Sequence, residues 1–279
     1  MKKNKNTVKI NLLTYIILLI GALCLIFIPI YLTLIGSFKT GQDTIANFFS
    51  FPKTFLIENY KTVFKSGFSG YFINSMEMTV ISVILILLVV PLGSYAIVRN
   101  KNNKFFKIIF YICLLGLFVP FQVFMLPLTT VASHLHAMNK MGLILIYVAL
   151  AVPQTMFLYI WYMKANLPVE LEEAAAIDGC GKLKLYTSVV FPLLKPINAT
   201  IIILNALWIW NDFLLPFLIL GGDNSQWTIP LFQYNYVAAN QMNYGPMFAL
   251  YISSMVPIII VYMIFQRNII GGITAGSIK

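Results

Sequence analysis

Long runs without charge constrain this chain more than any other feature. Residues 10–38, 78–98, 108–139, 141–163 and 247–266 contain no Asp, Glu, Lys or Arg, and residues 196–220 contain one, Asp212. A helix needs about 20 apolar residues to cross some 30 Å of hydrocarbon. The reading is an all-α, polytopic membrane protein with about six transmembrane helices. The second span starts near Tyr71, and the third runs to about Leu128 and is followed by an outer segment. Pro29, Pro91, Pro120, Pro127, Pro153, Pro216 and Pro257 fall in or near these runs, where neighbouring helices can re-satisfy the freed carbonyls. The 279 residues are 59% hydrophobic and only 10% charged, which argues against a soluble enzyme, a nucleic-acid-binding domain or a disordered chain. The basic start precedes a run too long for a signal-peptide core, so it reads as a retained first span.

The net charge of +10 is a matter of placement. With six spans and the N-terminus inside, 14 of the 19 Lys and Arg fall on inner segments: Lys2, Lys3, Lys5, Lys9, Arg99, Lys101, Lys104, Lys107, Lys164, Lys182, Lys184, Lys195, Arg267 and Lys279. Lys39, Lys53, Lys61, Lys65 and Lys140 fall outside. The positive-inside rule then makes both termini cytoplasmic. The outer segment 221–245 carries Trp227, Tyr234, Tyr236 and Tyr244, fit either for an interfacial aromatic belt or for an external partner.

One polar island interrupts the pattern, at residues 164–195 on the inner side. It holds Glu170, Glu172, Glu173 and Asp178, four of the nine acidic residues. Pro168 suits a helix start, and carboxylates suit the first turn. Ala174, Ala175 and Ala176 favour a helix and offer a smooth face, and Gly179 stands where a left-handed turn can end it. A second helical stretch is expected over 182–190, broken by Pro192 and Pro196. Such an element is either a docking surface or an ordinary solvated helix.

Glu173-Ala174-Ala175, then Gly179, then nine residues to Val189, Phe191 and Pro192 resembles the EAA motif of binding-protein-dependent ABC importer permeases. Two apolar substitutions separate it from the family's closing I-x-L-P. Leu167-Pro168, Trp210-Asn211-Asp212-Phe213 with Pro216, and the ending Gly271 to Lys279 are similar to the carbohydrate branch, in particular to maltose-permease G-type subunits. The resemblance implies a single transmembrane domain over 1–279 with an EAA coupling loop at 164–195, in a bacterial cytoplasmic membrane. It implies a second permease subunit, a dimer of cytoplasmic ATPase subunits holding ATP and Mg, an external sugar-binding protein and a sugar substrate. Glu172, Glu173, Ala174, Ala175, Asp178 and Gly179 would make the ATPase contact. The chain itself would be no enzyme and bind no cofactor.

Other constellations are weaker. Gly181-Lys182 is followed by Leu183, so no phosphate-binding loop forms there. His134 and His136 are two apart and face different sides of a helix, and Cys24, Cys113 and Cys180 lie far apart, so no metal or disulfide framework is expected. Asn205, Trp208, Asn211 and Asp212 fall on a similar helix face. An aromatic ring beside amide and carboxylate groups suits a sugar path, and the same polar groups also suit glue between helices. The rival to the importer reading is an ion-coupled secondary transporter or channel subunit.

Overall fold

The structure is a computed structural model that describes residues 12–239 and 243–275, with side chains over 13–239 and 243–264. Lys2, Lys3, Lys5, Lys9, Lys279 and the side chain of Arg267 therefore lie outside the described residues, as do tail positions 276–279. Among the described residues there is no strand. In chain order the helices are α1 (Leu12–Gly36), α2 (Gly41–Ala46), α3 (Glu58–Lys65), α4 (Phe68–Arg99), α5 (Lys104–Gly116), α6 (Phe121–His134) and α7 (Lys140–Asn166). They continue with α8 (Val169–Ile177), α9 (Lys182–Leu185), α10 (Phe191–Leu193), α11 (Lys195–Asn211), α12 (Leu214–Leu220), α13 (Ile229–Ala239) and α14 (Tyr244–Ala275).

The chain divides into two compact units, residues 1–67 with 235–253 and residues 68–234 with 254–279. In the first, α1 leads into a turn organised by buried Lys39. Its ammonium group donates to the carbonyls of Asn47 (2.8 Å) and Phe48 (3.3 Å), which satisfies the charge without a carboxylate. Asn59 donates to the carbonyls of Ser37 and Lys39, and Phe38 packs on Phe55 and Tyr60.

The second unit is built on α4 and α7, whose facing residues form one apolar core with α11. α4 and α7 run parallel. Lys140 at the start of α7 pairs with Glu77 near the start of α4 (3.1 Å), and Arg99 at the end of α4 donates to the carbonyl of Leu167 just past α7 (3.0 Å). Parallel neighbours require the chain to return between them, so α5 and α6 together make one crossing. That crossing is sharply broken. α5 and α6 meet at 110°, because Pro120 has no N–H and holds Val119 out of the helical region. Gly116 ends α5 where a Cβ would stand 3.1 Å from Pro153 of α7, so the break lies directly against α7.

α11 runs back along α7, with Tyr159 donating to Asn198 (2.7 Å) and Tyr147 to Asp212 (2.9 Å). The fifth run thus ends as a helix at Asn211, and α12 restarts at Leu214. Residues Ser254 to Val261 of α14 return along α11 and α4. Among the described residues four helices are long and apolar enough to span a membrane, or up to six if the bent pairs Lys104–Gly116 with Phe121–His134 and Lys182–Leu193 with Lys195–Asn211 each make one span.

The break expected from Pro192 and Pro196 before the fifth span falls between the two prolines, while Pro192 itself stays within helical backbone. Residues 186–190 widen into a π-turn, which makes room for the proline ring and its missing donor. The direction changes at Leu194, by 72°.

Candidate functional site

The polar island begins where Pro168 stops α7. Leu167 is held out of the helical region (φ −118°, ψ 86°), as a residue before proline must be. α8 then starts with Glu170 and Glu172 in its first turn. Its end is a complete left-handed cap. Cys180 N–H bonds the Ala175 carbonyl and Gly179 N–H the Ala176 carbonyl, both at 3.0 Å, with Gly179 at φ +80°. A Cβ on Gly179 would meet nothing within 4 Å. The constraint there is therefore conformational, not steric.

Two faces of α8 differ. Glu172 points inward: Tyr95 donates to its Oε2 (2.7 Å), while Arg99 donates through Nε to Oε1 (2.8 Å) and through a second, closer nitrogen contact. The side chains of Arg99 and Glu172 are only 20% and 12% exposed. Arg99 thus ties the end of α4 to both the end of α7 and the first turn of α8. Ala175 packs on the core below. Glu173, Ala174, Ala176, Asp178 and Gly179 are exposed. Beside them stand Ile177, 87% exposed, and Leu183, 76% exposed. These two apolar residues widen the smooth patch and had a visible signal, two large aliphatics inside a polar island. Tyr186 in the π-turn leans on Tyr95 and Phe191, which links that turn to α4.

The polar set of α11 separates. Trp208 and Asp212 line a cavity of about 660 Å³, with Gly116, Phe121 and Gln122 from the broken third crossing and Pro153 from α7. Tyr147, fully buried, donates to Asp212 Oδ2 at 2.9 Å and meets Trp208 edge-on, with ring centroids 5.4 Å apart at 87°. Asp212 Oδ1 also accepts from Leu214 N–H (3.2 Å), closing the gap where α11 stops. Asn205 is elsewhere. It is buried, donating to the Ile201 carbonyl (2.9 Å) and to Thr155 of α7 (3.4 Å), the geometry of glue between helices. Asn211 is exposed and bonds the Leu207 carbonyl of its own helix. Sequence reasoning missed Tyr147 and Gln122, since neither lies near Asp212 in the chain.

Residues 89–274 match the family described as "Binding-protein-dependent transport system inner membrane component". The chain belongs to this family. It is a multi-pass membrane permease component, as its apolar helices require. It is similar to the multiple sugar-binding transport system permease protein MsmG of Streptococcus mutans, with 47% identity over 281 residues and all of both chains covered. It is also similar to the melibiose/raffinose/stachyose import permease protein MelC of Bacillus subtilis, with 31% identity covering 95% of this chain and 96% of the relative. Among solved structures, a bacterial ABC transporter involved in import of the acidic polysaccharide alginate has the same fold. Its TM-score is 0.78 at 24% identity, covering 92% of this chain and 95% of that one. The stretch that resembles the EAA motif is α8 with the turn that follows, and the helix is fixed to the end of α4 by the Arg99–Glu172 pair.

Proposed function

We propose that this chain is the permease subunit of an ATP-driven sugar importer, coupled to cytoplasmic ATPase subunits through α8. The observation that carries the reading is the two-sidedness of α8: Glu172 is locked to Arg99 and Tyr95, and the opposite face exposes small and apolar side chains. A partner closing on that face would move α8, and the ion pair would pass the displacement to α4 and α7. Glu173, Ala174, Asp178 and Gly179 are assigned to the contact surface, Ala175 to the seat of the helix and Glu172 to its anchor. ATP and Mg belong to the ATPase dimer.

Orientation follows from charge. Arg99, Lys101, Lys104, Lys107, Lys164, Lys182, Lys184 and Lys195 lie at or beyond the helix ends near α8, which makes that end cytoplasmic and the end with Lys140 and Glu77 extracytoplasmic. Both termini are then cytoplasmic, and the outer end faces a sugar-binding protein. The names of the relatives favour a sugar as cargo, and the cavity agrees: a ring face at Trp208 beside a carboxylate at Asp212 suits a molecule with apolar faces and many hydroxyls. A second permease subunit completes the path. The ion-coupled alternative has no support, since Asp212 is already taken up by Tyr147 and Leu214.

The test is Gly179→Val in the assembled transporter. A β-branched residue at φ +80° is strained, so α8 should lose its cap, and hydrolysis stimulated by sugar-loaded binding protein should fall while the spans stay inserted. Parental stimulated hydrolysis and transport in this variant would remove α8 as the coupling element.

A further inference from the structure

A second polar cavity lies at the α8 end of the α4–α7 pair, well away from Asp212. It measures about 590 Å³ and sits among the end of α4, the start of α5 and the end of α7. Arg99, Lys101, Lys107 and Lys164 line it, and no carboxylate does. Arg99 is committed to Glu172. Among the described residues, Lys101, Lys107 and Lys164 have no carboxylate within ion-pair distance. Lys164 rests instead over the rings of Phe110 (5.8 Å) and Trp161 (5.7 Å), which fixes a cation at the cavity without neutralising it.

Three uncompensated ammonium groups around one hollow repel one another, and an anion between them relieves that repulsion. Their position decides which anion. They stand at the ends of spanning helices, where lipid headgroups lie. Past the lining residues Lys107 and Tyr111, α5 carries Ile108, Ile112 and Leu115 along a separate exposed face, at i, i+4 and i+7. We propose that this cavity seats the anionic headgroup of a phospholipid, its phosphate held by Lys101, Lys107 and Lys164 and an acyl chain laid along Ile108, Ile112 and Leu115. Phe106 and Phe110 form an aromatic wall inside the cavity, and Lys107 and Tyr111, on the same lining, stand by helix position between the hollow and the aliphatic face. The cavity also touches residues 167–169, the joint between α7 and α8, so an occupied site braces the joint that carries α8.

The test uses the full-length protein, purified with its co-expressed partners and analysed by native mass spectrometry with added phosphatidylglycerol or phosphatidylcholine. The parent should retain phosphatidylglycerol preferentially. Each lysine near an anionic surface is worth roughly fivefold in binding, so Lys101→Gln/Lys107→Gln/Lys164→Gln together should lower retention on the order of a hundredfold. The corresponding triple Arg variant should retain the lipid, and Lys53→Gln/Lys61→Gln/Lys65→Gln, removing equal charge elsewhere, should leave retention unchanged. Unaltered retention in the first Gln variant, equal loss in the second, or lysine-dependent binding of inorganic phosphate without lipid preference would each overturn the proposal. The readout is independent of transport, so its failure leaves the role of α8 untouched.

Discussion

α8 turns Ile177, and α9 turns Leu183, out to the surroundings, whereas the Tyr147 ring beside the Asp212 cavity has no exposed surface. The first region is a short local helix whose chemistry faces away from the protein. The second is a hollow whose chemistry faces inward, assembled from breaks in α5–α6 and α11–α12 set against α7. The difference separates two tasks. A surface proposed to receive a partner needs exposure and a stiff mounting, and the specific bonds of α8 lie underneath it, at Glu172. A cavity proposed to receive a polar solute gains from interrupted helices, because a continuous helix in lipid spends its backbone groups on itself.

The largest effect that can break this contrast lies under α8. Arg99→Ala leaves the Glu172 carboxylate half-buried without its cation, a loss of about 3 kcal/mol. We expect a lower melting temperature in detergent and loss of stimulated ATP hydrolysis. Arg99→Met with Glu172→Met should recover much of the stability, because it leaves neither charge unpaired. If Arg99→Ala alone left both quantities at parental values, α8 would not be mounted through this pair.

Next comes the cavity. Tyr147→Phe removes the hydroxyl that Asp212 accepts from, which should cost about 1–3 kcal/mol. Sugar uptake should suffer while co-purification with the ATPase stays at parental yield. An effect on co-purification instead would erase the distinction between the two regions. Gly179→Ala is milder than the valine variant. With open space around the position, only the positive φ opposes a methyl group, and stimulated hydrolysis should fall by a factor matching about 1 kcal/mol. The smallest effect is expected at Asn205. Asn205→Ala should lower thermal stability by about 1 kcal/mol without changing the sugar concentration at half-maximal uptake. A shift in that concentration would return Asn205 to the sugar path.

α8 is legible in the sequence because its signals are local. Pro168 before it, carboxylates in its first turn, three alanines and Gly179 behind it follow one another in the chain, and each acts within a few residues. The apolar runs were legible for the same reason: length and continuity alone decide that a segment can span lipid. The proline signals were only half legible. Pro120 breaks a crossing, while Pro91 and Pro153 sit inside intact helices and Pro192 is absorbed by a π-turn. The residue is the same each time, and what neighbouring helices can compensate differs.

The sequence by itself determined the helical class, the approximate spans, the charge asymmetry and the place of the EAA element, because hydropathy, charge and capping are properties of contiguous residues. Only the tertiary structure decided that Glu172 bonds Arg99 and Tyr95, that α4 and α7 run parallel, that Tyr147 donates to Asp212 and that Asn205 meets Thr155 instead. Each of these depends on groups 50 to 77 residues apart meeting across packed helices. Helical periodicity fixes which face a residue occupies, but not which helix that face will meet.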